Sequence, residues 1–377
     1  MPRHTVFFYG SLRDETLLSL VLGRDPESVR LEPAVLPGHE IREVLGEGFP
    51  CVVPAPGSEA PGAVLRDAAP AELSRLRFFE NDEEYDLAPR TVRTAQGEEE
   101  ALVCVPRART KAGAPWSYET WPETDRLHQR ECAREVMALY DLGADWSDPG
   151  LWPGIRARGA ARLAALRAPS PAPLLGGRAP EPAETVRTDY PYAGFFAVEE
   201  RQVRVPTFVG GRTEPLKRVV FASGDAVTVL PYDPRADLVM LTAQWRAGPH
   251  ARGDARPFPT EVVAGRLDDP EDPEAAGRRE AREEAGLTLG RMERAAAFYA
   301  SPGCMAEHVT AFVAEADLSG AGGVGGRAEE HEDILSVVVP FDEAMAMVDR
   351  AEIDTGPALV ALLWLARHRD RLRAAWT

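Results

Sequence analysis

The stretch Glu261–Leu287, EVVAGRLDDPEDPEAAGRREAREEAGL, leaves the chain little choice of local fold. Val262 and Val263 lead into Gly265, a loop of Asp, Pro and Glu follows, and a run of helix formers closes at Gly286. Asp272 suits an N-cap, Pro273 a first helical turn, and Gly286 a left-handed helix end. The pattern predicts strand, loop, helix. On that helix Glu280 and Glu284 stand four apart, with Glu283 three beyond Glu280, so their carboxylates crowd together. Such neighbours repel one another unless a cation joins them. Oxygen ligands at this density suit Mg²⁺ or Mn²⁺, and those ions suit a phosphate substrate. A solvated acidic helix face, partly neutralised by Arg279 and Arg282, is the plain alternative.

The same stretch resembles the nudix box, G-x5-E-x7-R-E-U-x-E-E-x-G-U, where U is bulky and apolar. Gly265, Glu271, Arg279, Glu280, Glu283, Glu284, Gly286 and Leu287 fall on it, and Ala281 is a small version of the first U. Gly277 lies inside the helix, where Ala would be favoured by roughly 1 kcal/mol on propensity.

A chain of 377 residues has room for two or three domains, and 44% apolar residues suffice for real cores. The net charge of −17 argues against nonspecific binding to nucleic acid or anionic lipid. Cys51, Cys104, Cys132 and Cys304 form no C-x-x-C pair, which suits a reducing cytoplasm. The N-terminus carries no signal-peptide pattern, and the late apolar run Ala358–Ala366 is too short to span a bilayer. The expectation is a cytoplasmic protein without membrane or nucleic-acid partners.

From the start, Thr5–Tyr9 reads as a buried strand that turns at Gly10-Ser11 into a helix, Asp14–Leu22. Short strands are expected near Ala34–Leu36, Cys51–Val53, Ala63–Leu65, Thr91–Arg93 and Ala101–Val105, with a helix at Pro70–Phe79. That order suggests a small, mostly antiparallel β-barrel. The Tyr9-Gly10-Ser11 turn offers an anion cradle before the helix. Glu80, directly after Phe78 and Phe79, is a carboxylate whose pKa burial would raise, which suits proton transfer near neutrality. An ordinary turn and an exposed helix-end Glu are the plain alternatives.

Residues 5 to about 120 resemble the γ-glutamylcyclotransferase-like (AIG2-like) family. The resemblance rests on Tyr9-Gly10-Ser11-Leu12, Gly48-Phe49-Pro50, Pro61-Gly62-Ala63-Val64-Leu65, Phe78-Phe79-Glu80, Tyr85 and Arg90-Thr91-Val92. It implies that Tyr9, Gly10, Ser11 and Leu12 bind a γ-glutamyl group and that Glu80 is the catalytic acid/base of cyclisation to 5-oxoproline. A binding or scaffold domain is the rival reading.

Helices are expected at Asp125–Tyr140 and Leu151–Leu166, then a Pro-rich linker over Ala168–Thr185. The domains are thus placed at 1–125, 126–185 (helices and linker) and 186–377. In the second half, strands are read at Phe195–Val205, Lys217–Ala222, Ala226–Tyr232, Val239–Arg246, Arg294–Ser301, Val309–Glu315 and Ile334–Val339. Ser319–Arg327 reads as a flexible Gly-rich segment, and helices at Phe341–Arg350 and Pro357–Arg371 end the chain. The fold class is α+β: the barrel, then an α/β/α sandwich on a mixed sheet.

Residues 192 to 371 resemble the ADP-ribose pyrophosphatase branch of the nudix hydrolases. Beyond the box, the resemblance rests on Gln244-Trp245-Arg246, Glu261, Ser301-Pro302-Gly303 with Glu307, Glu330-His331-Glu332-Asp333-Ile334 and Ile353-Asp354. It implies Mg²⁺ or Mn²⁺ on Ala264 (through its carbonyl), Glu280, Glu284 and Glu332, with Glu283 as a further ligand or catalytic group. Glu330 is the implied base, and it could exchange roles with Glu332. Arg246, Glu261, Ser301, Gly303 and Glu307 are the implied substrate-binding set. The implied reaction is hydrolysis of ADP-ribose, or a related nucleoside diphosphate sugar, to AMP and ribose 5-phosphate, by a homodimer. A nucleotide-binding sensor or scaffold is the alternative, which the intact acidic set disfavours.

Overall fold

The structure, a computed structural model, describes residues 3–45, 48–81, 84–107, 111–146, 148–168, 181–268, 271–327 and 331–377. The chain divides into two compact units, Met1–Phe195 with Glu199–Arg218, and Phe196–Val198 with Val219–Thr377.

The first unit is built on β1 (His4–Phe8), α1 (Glu15–Leu22), β2 (Leu31–Val44), β3 (Pro50–Ala68), α2 (Pro70–Phe79), β4 (Tyr85–Thr94), β5 (Gly97–Pro106) and β6 (Ala112–Pro115). Strand order β3-β1-β5-β4-β2-β6, with β2 also paired to β3, closes five strands into a ring. One pairing is parallel, β1 with β5 through Val6↔Leu102. The mostly antiparallel barrel read from the sequence is therefore present. Phe7 and Tyr9 point to its interior with Leu36, Val52 and Val103. Val6 and Phe8 point the other way, under α1 and α2. Strand β1 is buried on both faces, which explains its unbroken apolar run.

Helices α3 (Glu123–Asp141) and α4 (Leu151–Arg167) belong to this unit, and α3 packs on the same core through Cys132, Ala133 and Val136. Between them lies a fully buried ion pair, Arg158 to Glu135 at 2.7 Å, which no local pattern announces. Of the expected linker, residues 169–180 lie outside the described residues. Its end is not linker: Glu184 opens β7 (Glu184–Ala193), which pairs in a three-stranded sheet with β8 (Ala197–Arg204) and β9 (Leu216–Ala222).

The second unit contains β10 (Ala226–Asp233), β11 (Leu238–Ala243), α5 (Ala247–Arg252), β12 (Thr260–Glu261), β13 (Val263–Arg266), α6 (Pro273–Ala285), β14 (Met292–Tyr299), β15 (His308–Glu315), β16 (Gly323–Gly325), β17 (Ile334–Pro340), α7 (Phe341–Asp349) and α8 (Gly356–Trp376). Its mixed sheet runs β14-β15-β10-β11-β17-β16, with β12 on β11 and β13 on β10. One face is covered by α6, through Ala276 and Ala281, and by Leu287 just beyond its end, against Val227, Val229 and Phe312. The other is covered by α8, through Ala358, Leu362 and Leu365 against Leu230, Tyr232 and Val313. This is the expected α/β/α sandwich.

Two further expectations are corrected. The strand over Val239–Arg246 stops at Ala243, and Arg246 instead N-caps α5. The Gly-rich segment is not loose throughout: Gly323–Gly325 forms β16, paired to β17 by Val324↔Leu335. Among the described residues no helix is long and apolar enough to cross a membrane.

Candidate functional site

In the second unit, α6 begins as its sequence dictates. The Asp272 carboxylate accepts the amides of Glu274 and Ala275 at 3.1 and 3.0 Å, and Gly286 ends the helix at φ 64°. The helix lies so close to β10 that a Cβ on Gly277 would sit 2.8 Å from Cγ2 of Val229. Gly277 is thus a packing requirement, and the expected gain from Ala is not available there. Ala281 is fully buried in the same contact, so its small size fits.

The acids project from α6 towards β13. Glu284, 2% exposed, accepts the backbone amide of Ala264 at 3.2 Å. Burial, helped by the charges of Glu280 and Glu332 and opposed by that amide and by Arg246, pushes its carboxyl up to about 8. Burial likewise pushes Glu280 up to about 7; Arg279 opposes the shift, and Glu283 and Glu332 add to it. Arg279 gathers the acidic set, donating to Glu280 at 2.7 Å, Glu283 at 3.3 Å and Glu271 at 2.9 Å. Glu332 accepts the Arg327 amide at 3.1 Å. Glu330 lies outside the described residues.

Among the described residues no three His, Cys, Asp or Glu side chains converge closely enough to hold an ion as they stand. Glu280, Glu284 and Glu332 each face a protein donor instead. The donor set nonetheless fits a hard divalent cation: the buried Glu284 carboxyl accepts a neutral backbone amide, and the half-buried Glu280 shares its Arg279 partner with Glu271 and Glu283, beside the Ala264–Gly265 backbone. Gly265 also fits, because a Cβ there would overlap the Glu280 carboxylate.

Of the implied substrate-binding residues, Arg246 and Glu261 are brought together, Nε to carboxylate at 2.8 Å. Burial holds Glu261 above its ordinary range despite that partner. Ser301, Gly303 and Glu307 form a second group on the β14–β15 connection. The Ser301 carbonyl accepts the amides of Cys304 and Met305 at 3.1 and 2.9 Å. Glu307 accepts from Ser223 Oγ at 3.4 Å. Sequence reasoning missed Gly325, whose bare α-carbon lets β16 run against the Glu284 carbonyl; a Cβ would overlap it.

The first unit holds a cavity of about 920 Å³, lined among others by Tyr9, Gly10, Ser11, Leu12 and Glu80. Gly10 lets the turn meet the Gly48-Phe49-Pro50 loop, since a Cβ there would overlap the Pro50 ring. The turn leads into a single 3-10 turn, Ser11–Arg13, before α1. The start of α1 is occupied by the Asp14 carboxylate, which accepts the Leu17 amide at 2.8 Å. The anion cradle expected from that helix start is therefore not offered by α1. Glu80 caps the C-terminus of α2, its amide donating to the Leu76 carbonyl at 3.0 Å. Enclosure by protein raises its carboxyl to about 7, against a hydrogen bond from Cys104. Cys104 was not singled out from sequence, where it is one strand residue among apolar neighbours. Tyr85, 6% exposed and also lining the cavity, buries its hydroxyl without a hydrogen-bond partner among the described residues.

Residues 6–123 match the family model described as gamma-glutamyl cyclotransferase, AIG2-like, and residues 222–360 match the NUDIX domain. An ADP-ribose pyrophosphatase of Escherichia coli (strain K12) is 35% identical over 193 residues, 51% of this chain and 92% of that protein. One from Haemophilus influenzae is 34% identical over 187 residues, 49% of this chain and 86% of that protein. A GDP-mannose pyrophosphatase of Enterobacter sp. (strain 638) is 35% identical over 149 residues, 40% of this chain and 77% of that protein. The chain belongs to the nudix hydrolases through its second unit and carries an AIG2-like gamma-glutamyl cyclotransferase domain in its first.

Proposed function

We propose that the second unit hydrolyses the diphosphate of ADP-ribose, or of a related nucleoside diphosphate sugar, giving AMP and ribose 5-phosphate with Mg²⁺ or Mn²⁺. The observation that carries this reading is the pair of carboxyls, buried Glu284 and half-buried Glu280, set against the Ala264–Gly265 backbone and raised to about 8 and 7. It is supported by relatives named for ADP-ribose and GDP-mannose. Glu280, Glu284, Glu332 and the Ala264 carbonyl would hold the divalent ions, which when bound neutralise the diphosphate and activate water. Glu283, kept on the acidic face by Arg279, would join the ligands or the proton transfer. Arg246, oriented by Glu261, would bind a phosphate, and Ser301, Gly303 and Glu307 would shape the sugar end. Glu330 would take the proton from the attacking water, a role Glu332 could fill instead. Incubation with ADP-ribose and Mg²⁺ should release AMP; no turnover of ADP-ribose, ADP-glucose or GDP-mannose would sink the reading.

For the first unit the reading is cyclisation of γ-glutamyl compounds. Glu80 would take the proton of the α-amine as its nitrogen attacks the side-chain carbonyl, then return a proton to the departing amine. Products are 5-oxoproline and that amine. Tyr9, Gly10, Ser11 and Leu12 would hold the γ-glutamyl group. Release of 5-oxoproline from γ-glutamyl dipeptides, lost in Glu80→Gln, tests it.

We place the protein in a reducing cytoplasm, where its four free cysteines are stable. We also take it as a homodimer, since the second unit leaves Trp245, Phe258, Leu335 and Val337 substantially exposed. Sedimentation analysis would decide the latter.

A further inference from the structure

We propose that the first unit takes γ-glutamyl amides whose amine half is a bulky, aromatic group, and that Trp146 and Trp152 set this preference. The proposal rests on the cyclotransferase reading of the Glu80 cavity. The family match ends at residue 123, the first of α3, so the rest of α3, α4 and their connection lie beyond it. These elements nevertheless supply part of the cavity wall, through Gln129, Trp146 and Trp152.

The two indoles are held in place. Trp146 Nε1 donates to the Phe78 carbonyl at 2.9 Å, on the last turn of the helix that ends in Glu80. Its ring lies 5.5 Å from Phe78 and 6.3 Å from Trp152, in an edge-on arrangement with the latter. The Arg156 guanidinium stands 6.0 Å from the Trp152 ring. Such fixed, half-buried aromatic surfaces favour a flat apolar partner.

The volume, about 920 Å³, is far more than a γ-glutamyl group needs and falls in the range of sites for drug-sized ligands. A second observation points to a ligand: the buried Tyr85 hydroxyl has no hydrogen-bond partner among the described residues. A bound amide could satisfy it. Arg107 and Lys111 also border the cavity, but both are exposed, so water and salt screen their pull on a charged amine half.

In the reaction, the α-amine nitrogen bonds to the γ-carbonyl carbon and the γ-amide C–N bond breaks. The proton lost by the α-amine passes through Glu80 to the leaving nitrogen. The leaving amine is the half that meets the indoles.

The test uses the full chain. In a Glu80→Gln background, calorimetry should show γ-glutamyl-phenethylamide binding roughly tenfold tighter than γ-glutamylalanine. Adding Trp152→Phe should keep most of that ratio, and adding Trp152→Ala should bring it close to one in protein that still melts cooperatively. Equal binding of the two amides, a ratio that survives Trp152→Ala, or tighter binding of glutathione would overturn the proposal. Wild-type protein assayed for 5-oxoproline tests the parent reading separately. Preferential binding without release from either amide would remove the cyclisation and leave the aromatic site standing.

Discussion

Gly265 and Glu280 compete for one position: a side chain on the strand residue would overlap the carboxylate of the helix residue. The glycine that opens the acidic motif is therefore a steric vacancy shaped for one acid. Replacing Gly265 by Ala should push Glu280 aside, lowering diphosphate hydrolysis or Mg²⁺ affinity roughly 10- to 100-fold while the fold persists. Steady-state kinetics against Mg²⁺ concentration, beside a melting curve, would check it. Unchanged kinetics would refute the role.

Gly277 sets two physical rules against each other. Helix propensity says Ala should stabilise by roughly 1 kcal/mol. Packing says the new methyl meets Val229 at 2.8 Å and should cost about 1–3 kcal/mol. Gly277→Ala is expected to lower the denaturant midpoint of the second unit.

Divalent cations should stabilise the second unit, because they join buried acids that otherwise repel. At Mg²⁺ one hundred times its dissociation constant the gain is about 2.7 kcal/mol. EDTA should reverse it, and Glu284→Gln should abolish it without unfolding the protein. Differential scanning fluorimetry with and without Mg²⁺ reads this directly.

Glu80 gives a pH dependence of definite sign. Its carboxyl titrates near 4.5 when free and about 7 in the folded protein. Between those values the folded state holds the extra proton, so stability of the first unit falls as pH rises through that window and levels off above it. Glu80→Gln should flatten this slope. The base form needed for cyclisation grows over the same range, so kcat/KM for 5-oxoproline release should rise to a plateau above about pH 7.

The buried pair Glu135–Arg158 supports α3 against α4. Glu135→Ala strands a buried guanidinium and should cost roughly 3–5 kcal/mol. Changing both residues to Leu and Met removes the stranded guanidinium and should cost less, though not nothing, because Arg162 also loses its 2.8 Å bond to Glu135; chemical denaturation of the three proteins would show it.

What could be read from the sequence was what local spacing encodes. Asp272, Gly286 and the Glu280–Glu284 interval specify a capped helix with acids together, and the structure has it. Pro70–Phe79 was legible for the same reason. Strands β2 and β3 were seen only as fragments, because Pro33, Pro37, Pro54, Pro56 and Pro61 interrupt the usual strand signature. The strand at Gly323–Gly325 has a single side chain, that of Val324, to announce it. Arg158, Cys104 and Trp146 acquire meaning only from partners distant in sequence: Glu135, Glu80 and Phe78. No window of neighbours contains those pairs.

The ring of the first unit closes by setting Val6 beside Leu102, in the parallel pairing of β1 with β5. During vectorial synthesis this order means that the first strand leaves the ribosome long before its second partner exists. Until β5 emerges, the apolar run of β1 lacks one of its two strand partners, and the barrel cannot seal. The half of the protein made first must wait for its own far end, and nascent chains arrested before residue 97, where β5 begins, should remain open to proteases and chaperones.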